Sequence, residues 1–154
     1  MADIPCGCPG SAMQDFRDKK TKESKTSARQ ESELKQWPIQ LHLVGPGAPY
    51  FENADLVITA DCVPFAYANF HSDFLKGRPV VIGCPKLDET EDYAEKIGEI
   101  IKAGNVKSVT IIHMEVPCCF GLQSIVEEAV EKSGKKISIK QEIITVSGEK
   151  QNAQ

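Results

Sequence analysis

Leu56-Val57-Ile58-Thr59-Ala60-Asp61-Cys62-Val63-Pro64 is the stretch that decides how this chain folds. Leu56 to Ala60 is a short apolar, β-branched run without alternation, the signature of a strand buried on both faces of a sheet. The run stops at an acid and a cysteine, and Pro64 then suits a first helical position. Phe65 to Leu75 continues at helical spacing, with Ala66, Phe70 and Phe74 on one face and a stop near Gly77. A buried strand passing through a cysteine-bearing turn into a helix is the repeating unit of an α/β sheet.

The same unit recurs downstream. Arg78-Pro79 leads into Val80-Val81-Ile82-Gly83, a second buried strand that runs straight into Cys84. Asp88 and Glu91 have the spacing of a capping box, Tyr93, Ile97, Ile100 and Ile101 follow at helical period, and Gly104 fits the position after the helix. Val109 to Met114 is the next strand. Leu122, Ile125, Val126, Ala129 and Val130 mark a further amphipathic helix closed by Gly134, and Ile137 to Val146 is the last strand. Upstream, Ile39 to Val44 reads as a strand closed by Gly45-Pro46-Gly47. Strands alternating with helices of this length imply right-handed crossovers and a parallel sheet. The expected fold is α/β: a single open, mainly parallel sheet of about five strands with helices on both faces, in Rossmann-like or flavodoxin-like layering. The connection over residues 45–54 is short for a crossover, so the first strand is the one the pattern places least well.

Length and composition set the outer bounds. The chain has 154 residues, 41% of them hydrophobic, enough for one domain with a real core. No apolar run approaches a membrane span, and the N-terminus has no apolar signal segment, so the expected location is the cytoplasm. Residues 1–36 lack a hydrophobic period and read as a flexible N-terminal arm holding Cys6-Gly7-Cys8; residues 37–154 form the α/β domain. The arm contains a basic stretch, Arg17 to Arg29, with a local charge of +4, while the whole chain is at −4. The overall charge argues against nucleic-acid binding; the basic stretch could dock an acidic partner, but its Lys- and Ser/Thr-rich composition favours a solvated linker.

The six cysteines are more informative. In a reducing compartment they are not structural disulfides, which leaves metal binding, redox chemistry or burial as small hydrophobes. None falls inside an expected element. Cys62, Cys84, Cys118 and Cys119 all occupy strand-to-helix loops, and in a parallel sheet those loops lie at the carboxyl edge where open α/β folds bind ligands. Gathered thiolates suit an iron–sulfur cluster or zinc. A zinc site commonly shows a Cys-x-x-Cys knuckle, and the chain has none. Helix N-termini at this edge would favour an anionic cluster, Pro64, Pro85 and Pro117 stiffen the loops, and Lys86 is either a compensating charge or a solvated lysine. Cys8, on a linker long enough to reach the rim, is a further candidate ligand, ahead of Cys6. His42, His71 and His113 read as structural. Asp61 and Glu115 sit beside the cysteines as possible acid/base groups, with capping or turn roles preferred. Two other readings stay open: a structural or regulatory zinc–thiolate domain, and a metal-free thiol redox catalyst using Cys118-Cys119. Gly45-Pro46-Gly47 lacks the third glycine and the helix start of a dinucleotide fingerprint.

Five segments together resemble one family: Cys8-Pro9-Gly10-Ser11, Gln36-Trp37-Pro38-Ile39-Gln40-Leu41, Ala60-Asp61-Cys62-Val63-Pro64-Phe65-Ala66, Cys84-Pro85-Lys86-Leu87-Asp88 and Met114-Glu115-Val116-Pro117-Cys118-Cys119. The chain is similar, over essentially its whole length, to the ferredoxin-type iron–sulfur cluster-binding oxidoreductases of anaerobic bacteria and archaea. The resemblance implies a redox domain with one cluster, expected to be [4Fe–4S], held by a subset of Cys62, Cys84, Cys118, Cys119 and Cys8, and a ferredoxin-type redox partner. In that family a two-cluster ferredoxin domain typically precedes this region, so the sequence as given is expected to be either the second domain by itself or a natural short form. Phe120 stands where the family pattern has a small residue.

Overall fold

The computed structural model of the protein describes residues 13–15, 17, 18 and 29–151. Two short pieces, β1 (Gln14–Asp15) and β2 (Gln36–Trp37), pair antiparallel at the start of this region. The main sheet has four parallel strands: β3 (Asp55–Ala60), β4 (Val80–Gly83), β5 (Ser108–Met114) and β6 (Ser138–Ile144). Their order is β4-β3-β5-β6, so the chain leaves β3 to one side, then returns past it to the other. This is the open parallel α/β arrangement expected from the strand–helix alternation.

The buried runs are strands for the reason the sequence suggests. Leu56, Val57, Ile58, Val80, Val81, Val109, Ile111 and Ile112 are all buried, each contributing about 1.5–3 kcal/mol by leaving water. β6 differs: Ser138, Ile139, Lys140 and Gln141 are exposed, because β6 has a neighbour on only one side. Beyond it the chain turns at Gly148 and folds back, with Lys150 bridging Ile144 and Gln151 N–H donating to the Ile143 carbonyl (2.8 Å).

α2 (Tyr93–Gly104) and α3 (Gly121–Ser133) are the long crossovers, packed together closely enough that a Cβ on Gly98 would lie 3.1 Å from the Ala129 carbonyl. The β3–β4 connection is more broken than the helical period suggests. It holds a short α1 (Val63–Ala66) and a separate π-helical turn, His71–Leu75. Tyr67 leaves the helix with extended backbone, and its hydroxyl donates to Asp73 (2.5 Å) while Ser72 Oγ donates to the Asn69 carbonyl. Such local side-chain bonds compete with helix propagation. Phe70 and Phe74 are buried as expected, with ring centroids 5.7 Å apart.

Two expectations fail at element starts. The fifth strand, Ile39 to Val44, reduces to a single parallel bridge of Gln40 to Ile82. Leu43 and Val44 N–H then both donate to the Gln40 carbonyl, closing a turn that buries Leu41 and Val44, three apart, and exposes Leu43. Apolar residues at 39, 41, 43 and 44 fit a strand and a turn alike, and the turn prevails. The Asp88–Glu91 capping box does not form either: α2 begins at Tyr93 after an Asp92 N-cap whose side chain makes no capping bond, because Asp88 is engaged elsewhere. The boundary expected at Trp37 falls in a stretch already tied to the domain. Gln36 is buried, and its side chain accepts from Val80 N–H (2.8 Å) and donates to the Val80 carbonyl (2.8 Å).

Gly104, at the end of α2, touches the Pro49–Phe51 3-10 turn so closely that a Cβ there would lie 2.7 Å from the Phe51 carbonyl oxygen. Gly104→Ala should therefore lower stability by about 1–3 kcal/mol despite the better helix propensity of alanine. Urea unfolding checks this; a stabilised variant would show that the turn yields freely.

Candidate functional site

Three cysteine-bearing loops open at the carboxyl edge. Ala60 pairs with Gly83 at the ends of β3 and β4, which sets Cys62 and Cys84 just past the same level of the sheet. Because β4 and β5 flank β3 on opposite sides, the crevice beyond β3 and β5 is the switch point where such sheets bind ligands. The Cys118-Cys119 pair enters it from a 3-10 turn, Pro117–Cys119, directly before α3. Cys62 and Cys118 are exposed, Cys84 half-buried and Cys119 buried. Burial pushes the Cys119 thiol up against a lowering hydrogen bond to the Met114 backbone, and both Cys118 and Cys62 lie close enough to push it further. A Cβ on Gly121 would lie 3.6 Å from Pro85, so the Cys84 loop meets the start of α3.

Each loop is held by its own sequence. Cys84 N–H donates to Asp88 Oδ2 (2.9 Å), Asp88 N–H returns to the Cys84 carbonyl (2.9 Å), and the buried Tyr93 hydroxyl donates to the same Oδ2. Asp88 thus closes the Cys84-Pro85-Lys86-Leu87 turn rather than capping α2. The shared carboxylate and burial raise the Tyr93 pKa. Gly83 makes room for this knot, since a Cβ there would lie 3.1 Å from Tyr93 Cε2. These roles of Asp88, Tyr93 and Gly83 escape a helix-start reading; the Cys-Pro-x-x-Asp spacing is the signal that could have found them.

Glu115 is structural: its two oxygens accept from Val146 N–H and Gln151 Nε2, both at 3.1 Å, tying the folded-back C-terminal segment to the Cys118 loop. His113, buried in β5, bonds the Met114 carbonyl through Nδ1 (2.8 Å) and Gln141 Nε2 through its own Nε2 (2.7 Å). The carbonyl can only accept, so Nδ1 donates to it. His71 Nδ1 accepts from Glu33 N–H, and His42 stacks on Tyr93 at 4.7 Å. His71 and His113 are thus engaged in hydrogen bonds, and His42 in a ring contact. Lys86 is exposed on its loop.

Asp61 departs from expectation. It caps nothing: the N-cap of α1 is Cys62, without a side-chain bond. Its backbone N–H donates to the Gly83 carbonyl (3.2 Å), while its buried Oδ1 has no partner among the described residues. Burial, then the Asp88 charge, pushes its carboxyl above the usual range.

The helix dipole also acts at fewer places than expected. α1 spans only Val63–Ala66, so α3, thirteen residues long and without a side-chain cap, is the helix that presents open N–H groups to the rim. Phe120 is half-exposed beside it and packs edge-on to His113 at 5.5 Å. Cys6 and Cys8 lie outside the described residues. Among the described residues no three His, Cys, Asp or Glu side chains surround a single point as one bound ion requires, and no helix is long and apolar enough to cross a membrane. A cleft of about 380 Å³ at the opposite, amino edge, between Gln36, Tyr50, Asp55 and Arg78, contains no cysteine.

Residues 48–153 match the Rossmann-like domain family, and the chain belongs to it. A relative 37% identical over 116 residues, covering 75% of this chain and 81% of its own length, is an uncharacterized protein of Archaeoglobus fulgidus. No solved structure matches. The turn after β3 in this member is Asp61-Cys62-Val63-Pro64 rather than a glycine-rich phosphate turn.

Since Asp61 is favoured protonated, its stabilising contribution is complete below the ordinary carboxylate range and is lost as pH rises through its raised value. Asp61→Asn should therefore raise the thermal midpoint of the metal-free protein at pH 7, with the gain fading toward pH 4. Melting curves across that range check it, and an unchanged midpoint at pH 7 would refute the burial cost.

Proposed function

We propose that this protein is an iron–sulfur redox domain whose cluster sits on the thiol rim, serving electron transfer or redox catalysis in the cytoplasm with a ferredoxin-type partner. The observation that supports the reading is that three separate loops at the carboxyl edge of one parallel sheet each carry cysteine. The similarity of its cysteine segments to the ferredoxin-type cluster-binding oxidoreductases supports the same assignment.

The donor set fits such a group in kind. Thiolates are the usual ligands of iron–sulfur clusters, and ligands spread over several irons stand wider apart than those around one ion. Among the described residues Cys62 and Cys118 are exposed and Cys84 is half-buried; these would hold it, and Cys119 is buried. When bound, the cluster supplies one-electron redox chemistry. The chain's own residues do the positioning: Asp88 and Tyr93 fix the Cys84 turn, and Glu115 anchors the Cys118 loop. The uncapped N-terminus of α3 offsets negative charge.

Anaerobically purified or reconstituted protein should be brown, with iron and acid-labile sulfide. Colourless protein with stoichiometric zinc after reconstitution would establish the zinc reading instead. Cys62→Ser and Cys84→Ser, each removing the lone thiol of its loop, should each cut bound iron by more than half, because serine is a hard and weakly acidic donor. Iron assay and visible absorbance of identically prepared variants check this; full retention in both would mean that the rim does not hold a cluster.

A further inference from the structure

The reversed C-terminal segment touches more than the Cys118 loop. Thr145 N–H donates to the Glu149 carbonyl (2.8 Å) and Gly148 N–H to the Thr145 carbonyl (2.9 Å), which closes a tight turn just past β6. On one flank this segment meets Glu115, whose carboxylate accepts from Val146 N–H and Gln151 Nε2 and whose own N–H donates to the Ile144 carbonyl (2.9 Å). On the other flank it meets the chain that follows Cys62. Gly148 has a φ of +89°, and a Cβ there would lie 2.6 Å from the Ala66 carbonyl oxygen, so only glycine lets the two backbones pass this close. Lys150 Nζ stands 4.7 Å from the Phe74 ring centroid and 5.8 Å from that of Tyr67. It also lies 3.9 Å from Asp73 Oδ2, the oxygen to which the Tyr67 hydroxyl donates.

The Cys62 side depends on such support. α1 is four residues long and starts at Cys62 without a side-chain cap, and a single helical turn has no stability of its own. Its bonds run from Ala66 N–H to the Cys62 carbonyl (3.1 Å) and from Tyr67 N–H to the Val63 carbonyl (2.9 Å). Their donors are thus the residues that Gly148 and Lys150 meet. Across the segment, the turn that follows Glu115 is closed by Cys119 N–H donating to the Val116 carbonyl (3.0 Å). The Cys84 turn is different, because Asp88 and Tyr93 brace it locally.

We propose that residues 145–151 are a clasp that fixes the Cys62 loop relative to the Cys118 loop, with Gly148 and Lys150 as positioning residues for the thiol rim. The inference deepens the iron–sulfur reading above and rests on it. Gly148 acts through Ala66, and Lys150 through Tyr67, Phe74 and Asp73. Ligands that come from separate loops hold a cluster only as well as the loops keep their spacing, and the clasp joins two of the three.

Three variants of the full chain test this. Lys150→Met keeps the length of the side chain and removes its charge, Lys150→Arg keeps a cation over the rings, and Gly148→Ala collides with the Ala66 carbonyl. In metal-free reduced protein, Lys150→Met should speed amide hydrogen exchange about tenfold at Ala66 and Tyr67, and also across the clasp at Cys119 and Phe120, while Cys84 and Asp88 exchange as before. Lys150→Arg should restore the native rates. An equal rise at Cys84 and Asp88, or a rise confined to Ala66 and Tyr67, would overturn the clasp. In anaerobically reconstituted protein, Lys150→Met and Gly148→Ala should each lose about half or more of the bound iron and shift the paramagnetic resonance signature, with recovery in Lys150→Arg. Native iron content and signature in Lys150→Met would refute the positioning role. If the unaltered chain takes up no iron while the exchange pattern holds, the cluster reading fails and the clasp stands.

Discussion

Everything at the site depends on the pairing of β3 between β4 and β5. β3 is buried on both faces, so each of its backbone polar groups must be satisfied within the sheet, and parallel partners on both sides achieve this. Parallel pairing has a geometric consequence that antiparallel pairing lacks: the ends of all three strands point the same way. Any residue type placed just past the strand ends gathers on one rim. The chain places cysteines there, and the hydrophobic core that forces the pairing therefore also sets the cysteine-bearing loops on one edge.

The second constraint is local. A rim of loops is only as well defined as the bonds that hold each loop, and here each loop is held by different means. Asp88 accepts from the Cys84 amide and the Tyr93 hydroxyl, Glu115 holds the C-terminal segment against the Cys118 loop, and Cys62 directly starts α1. Asp61 is the odd member, a carboxyl with one oxygen buried and unpartnered next to the exposed Cys62. An unpartnered carboxyl oxygen of this kind is a local cost of the sort that functional sites commonly show.

Much of this was legible in the residues because burial on both faces writes itself as uninterrupted apolar runs. β3, β4, β5, α3 and the body of α2 announce themselves in that way, and with them the edge on which Cys62, Cys84, Cys118 and Cys119 fall. What sequence could not decide was competition for a single group. Asp88 has the spacing of a helix cap, yet the Cys84 amide and Tyr93 hydroxyl take its carboxylate. Gln40 belongs to a strand by pattern, yet its carbonyl is claimed by Leu43 and Val44. Gln36 looked like arm, yet its side chain reads the edge of β4 as another strand would. Each outcome turns on a partner far away in the chain or on two donors seeking one acceptor, and neither leaves a periodic trace.

The exposed flank of β6 has a consequence for how copies of this protein meet. A strand with one neighbour offers its outer N–H and C=O groups to any extended chain that passes, and long flat edges of this kind seed runaway stacking between molecules. Here the flank is blunted. Lys140 and Glu142 place charge along it, joined to each other at 2.8 Å, and the reversed tail bridges back from Lys150 onto Ile144, occupying the last backbone groups a newcomer would need. The same few residues that brace the Cys118 loop thus also occupy the far end of this edge, and charge alone guards the rest of it.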